Sequence, residues 1–292
     1  SNSFTLNYIN QKKYIQYNTI SPKSFITIKG ADKHNLKKID VNIPLNVFCA
    51  VTGVSGSGKT TLCKELLLPG IKRKLKDYTF QKPKCDDIII NENSITNIEY
   101  LSQNSIKKSS KSTPITYIKA FDPIRSLFSM QNQAKKNNFN AKYFSFNVSG
   151  GRCENCKGQG YVNIEMQFLA DITLECETCK GLRYNREVLK VLYCKKNIYN
   201  ILNLTINEGY DFFKQNGNTN ISNLMKPLID VGLGYLKMGQ SVSTLSSGEA
   251  QRLKLATFLS LKHQKAILIF DEPTKGLHFH DIDILIKAFK NL

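Results

Sequence analysis

Eight consecutive residues near the start of the chain have the types and spacing to hold a polyphosphate. Gly53-Val54-Ser55-Gly56-Ser57-Gly58-Lys59-Thr60 meets every fixed position of the pattern G-x-x-x-x-G-K-[ST]. Glycines let the backbone curl until its N–H groups converge on a β-phosphate. The helix that follows aims its positive N-terminus at the same anion. In such a loop Lys59 reaches the β- and γ-phosphates, and the Thr60 hydroxyl ligates Mg²⁺. The candidate nucleotide contacts are Gly53, Ser55, Gly56, Ser57, Gly58, Lys59, Thr60 and Thr61.

A second acidic element lies far downstream. Ala266-Ile267-Leu268-Ile269-Phe270 is an apolar run that ends in Asp271-Glu272, the Walker B arrangement. Asp271 would hold Mg²⁺, directly or through water, and Glu272 would polarise the attacking water as general base. A third element, Leu245-Ser246-Ser247-Gly248-Glu249, puts small residues at the start of a helix, which again makes an anion site.

Four of the eight cysteines form two tight pairs, Cys153-x-x-Cys156 and Cys176-x-x-Cys179, separated by 19 residues. A two-residue gap sets two thiolates on one side of a knuckle, and two knuckles complete a tetrahedron for Zn²⁺. The neighbouring Arg152, Lys157, Lys180 and Arg183 would offset the charge of a four-thiolate site. No open coordination position is implied, so the zinc is expected to be structural.

Elements must position these groups. Phe25–Ile28 and Ile98–Leu101 read as strands. Val47–Thr52 reads as the strand feeding the glycine loop, and Thr61–Leu68 as the helix leaving it. Lys107–Thr113 reads as a solvated basic loop. Tyr161–Phe168 alternates with period two, placing Val162, Ile164, Met166 and Phe168 on one face. Thr205 with Glu208 reads as a capping box. Ile221–Leu236 and Glu249–Leu261 read as helices, the second amphipathic, and Ala266–Phe270 as a buried strand.

The other four cysteines, Cys49, Cys63, Cys85 and Cys194, are scattered, and the whole pattern fits a reducing compartment with a metal site better than a disulfide framework. The 292 residues carry 41 Lys and Arg against 23 Asp and Glu, a net charge of +18. That balance suits a polyanion, most simply nucleic acid, although a Lys-, Asn- and Ile-rich genome would produce it too. No apolar run approaches the ~20 residues that span a bilayer, and no signal-peptide pattern is present. The opening Ser1-Asn2, without an initiator Met, reads as a cloning remnant on a piece of a longer chain.

Taken in order, these features resemble the ABC ATPases, and within them the UvrA family, the damage-recognition ATPases of the excinuclease in bacterial nucleotide excision repair. The stretches that carry the likeness are Phe144–Cys156, Cys179–Arg186 and Val231–Gln240, together with LSSGEAQR and FDEPTKGLH. It runs from about residue 25 to the end and matches the second, C-terminal ATPase half.

The resemblance implies an α/β fold: a P-loop ABC-type core with a helical signature subdomain and an inserted Cys₄ zinc module. It implies a polar segment 1–24 and a first part of the core at 25–105. An inserted subdomain follows at 106–245, with the zinc module at 150–185, and the signature helix and Walker B occupy 246–292. It implies ATP, Mg²⁺ and Zn²⁺ as cofactors, with Glu272, Lys59 and Gln103 as catalytic residues. Gln103 would sense Mg²⁺ and the attacking water. Ser246, Gly248 and Glu249 would contact the γ-phosphate of a nucleotide held by a second ABC half. Ser247 replaces the usual first glycine of that signature.

Implied partners are the backbone of damaged double-stranded DNA, a second ABC half, and a second copy of the full protein. UvrB, the next excinuclease component, is implied as a partner through regions absent from this chain. The family's switch histidine is not reached, because His278 and His280 stand too close to the acids. Weak turnover by this chain alone is therefore expected. The alternatives are a related ABC protein serving antibiotic resistance, and a half-module that binds ATP and DNA with little hydrolysis.

Overall fold

The computed structural model describes residues 21–90, 95–101, 109, 111–164, 166, 172–260, 265–275 and 279–290. They form a mixed α/β chain in two compact units. One holds Ser1–Ser105 with Leu261–Leu292, and the other holds Ile106–Ser260. The Walker B strand thus belongs to the first unit and the signature helix to the second.

In the first unit, strand β1 (Phe25–Lys33) lies between β2 (Leu36–Pro44) and β3 (Asp87–Ile89), all antiparallel. Alternation decides the register: Ile26 and Ile28 are fully buried, while Phe25 and Lys29 face outward. Strand β4 (Asn97–Leu101) pairs in parallel with β7 (Ala266–Phe270), from Asn97 opposite Ala266 to Leu101 opposite Phe270. Helix α1 (Thr61–Leu67), of π-helical geometry, runs directly into α2 (Leu68–Lys74). Leu66, Leu67 and Ile71 from this pair join Ile26, Ile28, Ile88 and Ile98 in one apolar cluster. Helix α11 (Phe279–Lys290) brings Phe289 against Phe270, ring centres 4.6 Å apart.

The expected strand at Val47–Thr52 is not formed. The stretch has no ladder partner among the described residues, and Phe48 and Val51 are exposed. A β-branched run favours an extended backbone but cannot by itself supply the neighbour that makes a strand.

The second unit is mainly helical. Helices α3 (Pro114–Tyr117), α4 (Phe121–Ser129) and α5 (Asn132–Lys136) precede a 3₁₀ turn at Ala141–Phe144. After the cysteine region come α6 (Arg186–Leu189), α7 (Ile198–Asn203), α8 (Ile206–Gln215), α9 (Thr219–Asp230) and α10 (Ser247–Ser260). Phe128, Phe144, Phe146 and Phe213 are buried here, with Phe128 tilted on Phe144 and Phe121 on Phe146. The Thr205–Glu208 capping box is present in both directions, at 2.8 and 3.2 Å.

Two helix expectations shift. Helix α9 stops at Asp230 rather than Leu236. Gly232, at φ 75°, ends it, and Gly232 and Leu233 donate their N–H groups to the carbonyls of Ile229 and Leu228. Helix α10 starts at Ser247 and buries the polar Gln251 and Arg252 beside Leu253, Leu255 and Ala256. Its burial does not follow an apolar stripe, because neighbours on several sides, not solvent, surround that stretch. Of the expected strand Tyr161–Phe168, the described part forms β5 (Tyr161–Ile164), which pairs antiparallel with β6 (Ile172–Glu175), and residues 165, 167 and 168 lie outside the described residues. Val162, Ile164, Ile172 and Leu174 share one exposed face of this hairpin. None of the described helices is long and apolar enough to cross a membrane.

Candidate functional site: a phosphate loop, an acidic strand end and a four-thiol cluster

The glycine loop hangs between the unpaired Val47–Thr52 segment and α1. At Gly58 the φ of 95° lies where side chains are strained, and an added Cβ would stand 2.8 Å from Leu36 Cδ2. The loop is closed from inside: Ser57 donates its N–H to Val54 O at 3.2 Å. Leu62 N–H reaches Gly58 O at 2.8 Å and starts the helix. The Lys59 ammonium folds back on the loop and donates to the carbonyls of Gly53 (2.9 Å) and Val54 (2.7 Å). A cavity of ≈ 160 Å³ opens beside it, lined by His34, Asn35, Gly56, Gly58, Lys59, Thr60 and Thr61. Ser55 and Ser57 are exposed.

His34 and Asn35 were not among the expected site residues. They occupy the β1–β2 turn, and Asn35 Nδ2 donates to Gly56 O at 2.5 Å. Turn chemistry marks Asn35 in the sequence, but only tertiary packing carries that turn to the loop.

Asp271 emerges at the end of β7, its N–H bonded to Leu101 O at 3.1 Å. Its carboxylate accepts the Tyr100 hydroxyl at 2.6 Å. Burial, then that hydrogen bond to an anion, push the Tyr100 phenol above its ordinary range. Cys63, one turn into α1, is also held up, by burial first and then by the nearby Cys49 and Asp271. The helix that follows Thr60 and the strand that ends in Asp271 are therefore electrostatic neighbours. Glu272 takes a left-handed φ of 46°, and its carboxylate meets Lys275 Nζ at 2.8 Å. Gln103 lies outside the described residues.

In the second unit, Ser246 caps α10. Its hydroxyl accepts the Glu249 N–H at 3.2 Å, and its own N–H donates to Glu249 Oε2 at 2.8 Å. The other Glu249 oxygen takes the Tyr235 hydroxyl at 2.5 Å. Burial raises this carboxyl, but the Tyr235 and Ser246 donors outweigh it and hold the group below the ordinary carboxylate range. Both oxygens of Glu249 are thus occupied inside the unit, while Ser246 and Ser247 are exposed and Gly248 half-buried at the helix start.

The four cysteines converge. Cys153, Cys156, Cys176 and Cys179 are buried, and their sulfurs all lie within 4.8 Å of one another. Cys153 Sγ is 3.9 Å from Cys176 Sγ, and Cys156 Sγ is 3.6 Å from Cys179 Sγ. A tetrahedron of Zn–S bonds near 2.3 Å has edges of about 3.8 Å, so the cluster fits zinc with little adjustment. The two knuckles repeat one another: Lys157-Gly158 and Lys180-Gly181 all take positive φ. An added Cβ at Gly158 would overlap Phe146 O at 1.8 Å. Cys156 Sγ accepts the Gly160 N–H at 3.2 Å. Cys176 is held down to about 6: burial pushes it up, but the N–H groups of Cys179 and Thr178 and the Asn155 amide prevail. Burial holds Cys153 and Cys179 above the ordinary thiol range. A divalent cation would remove that conflict among the four thiols.

Known proteins share this outline. The sequence profile of the family described as "ABC transporter" matches residues 36–275. The UvrABC system protein A of Clostridium perfringens is 44% identical over 295 residues, covering 100% of this chain and 31% of that protein. That of Borreliella burgdorferi is 45% identical over 297 residues, with 100% and 31% covered. The crystal structure of UvrA2 from Deinococcus radiodurans superposes with a TM-score of 0.88 at 38% identity, covering 99% of this chain and 34% of that one. The chain spans about a third of the length of the curated relatives it matches.

Proposed function

Because this chain belongs to the ABC transporter family, we propose that it is the ATP-binding and ATP-hydrolysing half of a UvrA-type excinuclease protein. In that role it couples nucleotide state to the grip on damaged DNA in the bacterial cytoplasm. The observation that carries the reading is the presence of a phosphate loop and a buried four-thiol cluster in one chain, matched over its full length by proteins named UvrABC system protein A.

Each residue has its own task. Lys59 leaves the Gly53 and Val54 carbonyls and pairs with the β- and γ-phosphates, while the N–H groups of residues 55–61 surround them. Thr60 and Asp271 hold Mg²⁺, which supplies charge neutralisation across the phosphates. Tyr100 keeps the Asp271 carboxylate turned toward that position. Glu272 takes a proton from the attacking water, and Gln103 orients it. Ser246 and Gly248 offer the start of α10 to the γ-phosphate of a nucleotide held by a second ABC half. Glu249 serves by fixing Ser246. The active site is composite, so a lone copy turns over slowly.

Zinc, held by Cys153, Cys156, Cys176 and Cys179, supplies rigidity to the knuckles. The exposed Lys157 and Lys180 beside them, and the net charge of +18, suit DNA backbone contact.

The test is titration of the purified chain with MgATP and with a lesion-bearing duplex across a salt series. Lys59→Met is expected to weaken ATP binding on the order of a hundredfold, and DNA binding is expected to weaken steeply with salt. No DNA affinity even at low salt would remove the DNA role, and ATP binding unaffected by Lys59→Met would remove the nucleotide role.

A further inference from the structure

Two arms of hydrogen bonds run from the cysteine knuckles to the segment that leads into the signature. The first is Arg183, four residues after Cys179. Its backbone carbonyl accepts the Cys153 N–H at 2.8 Å, so it is part of the knuckle framework. Its guanidinium donates to Gln159 O at 3.3 Å and to Gly239 O at 2.9 Å, and lies 4.9 Å from the Phe146 ring centre. The residue holds a left-handed φ of 67°, a conformation that persists only where surroundings over-determine it. Gly239 leaves room for this reach: an added Cβ there would stand 3.4 Å from Arg183 Nη1 and 2.8 Å from Leu202 Cβ.

The second arm starts at Arg152, next to Cys153. Arg152 Nη1 donates to Asn147 O at 3.0 Å, and Asn147 Nδ2 donates to Lys111 O at 2.9 Å. The next carbonyl, of Ser112, accepts the Val242 N–H at 2.8 Å. Both arms end on Gly239–Val242. From there a single 3₁₀ turn, Val242–Thr244, leads to Leu245 and the Ser246 cap.

We propose that Arg183 and Arg152 are positioning residues that transmit the geometry of the four-cysteine cluster to the Ser246–Gly248 helix start. Assembly of the knuckles then sets the order of the phosphate-facing signature. The proposal rests on the zinc and signature assignments above. Its chemistry is local: the half-buried Arg183 guanidinium donates to Gly239 O, and removing it takes away the side-chain bond that ties this carbonyl to the knuckles.

Amide hydrogen exchange of the full chain, read peptide by peptide beside zinc content, tests this without reference to turnover. Arg183→Met is expected to keep zinc and to speed exchange in 239–249 on the order of tenfold, with the glycine-loop peptide unchanged. Arg183→Lys, which retains charge and one donor, is expected to show a smaller rise. Asn147→Ala cuts only the second arm, so it reads the proposal even if Arg183→Met fails to fold. It too is expected to speed exchange in 239–249. Unchanged rates there in Asn147→Ala and in every folded Arg183 variant would overturn the proposal. A wild-type chain that binds no zinc would overturn the zinc assignment instead, and the exchange rates of the variants would still decide whether the arms hold the signature.

Discussion

Tyr100 donates its hydroxyl hydrogen to Asp271 across 2.6 Å, joining two residues 171 positions apart in the chain. The contact follows from one register: β4 and β7 run in parallel, with Leu101 opposite Phe270 and the Asp271 N–H closing onto Leu101 O. A carboxylate at a strand end is free to turn toward several partners, and this phenol selects one orientation. Tyr100→Phe is expected to cost about 1 kcal/mol of stability and to raise the Mg²⁺ concentration needed for nucleotide binding. The phenol is raised in the folded state, so the wild type loses stability as pH climbs above the ordinary tyrosine value of 10.0. The Phe variant lacks that loss. Thermal melts from about pH 8 to 11, spanning the ordinary tyrosine value, compare the two, and identical pH dependence would count against the bond.

Lys59 is half-exposed and bonded only to loop carbonyls among its described contacts. Lys59→Met is therefore expected to leave the melting temperature within about 2 °C, as for other surface changes away from the core. ATP affinity is expected to fall on the order of a hundredfold, since charge-assisted phosphate bonds are lost. Calorimetric titration with MgATP checks this.

Metal retention should follow thiolate chemistry. Cys176 is lowered from 9.0 to about 6, so its contribution to the metal-free module is full above pH 9 and lost as pH falls through about 6. Zinc needs all four thiolates. One zinc per chain is expected after dialysis near neutral pH, and release as acid protonates the four thiolates. Cys176→Ser should lose bound zinc at every pH. Atomic emission on the dialysed protein measures all three.

The Ser246 cap carries a local cost that can be separated from any nucleotide role. Ser246→Ala removes the acceptor for the Glu249 N–H and is expected to destabilise the second unit by about 1 kcal/mol. Glu249→Ala removes the reciprocal bond and the Tyr235 contact and should cost at least as much. Urea unfolding of both variants gives the comparison, and equal stability to wild type would argue that the capping box is not formed in solution.

Much of the chemistry was legible in residue order alone. Gly53–Thr60, the Asp271-Glu272 pair and each cysteine pair are patterns of local geometry, in which neighbours in sequence are neighbours in space. The Thr205–Glu208 box was readable for the same reason. The expected strand at Val47–Thr52 and the long helix to Leu236 failed differently. The first needed a pairing partner that propensity does not provide. The second was ended by Gly232, whose left-handed backbone outweighed the apolar pattern around it.

Tertiary structure alone decided which distant groups meet. Nothing in the sequence near Tyr100 names Asp271, because strand register is a long-range property. Nothing near Asn35 names Gly56, and nothing near Arg183 names Gly239. Sequence by itself determined the ligand types, their spacing and hence the phosphate, magnesium and zinc chemistry expected of this chain. The fold determined the orientation of those ligands, because hydrogen bonds between remote segments form only after packing has brought their elements together.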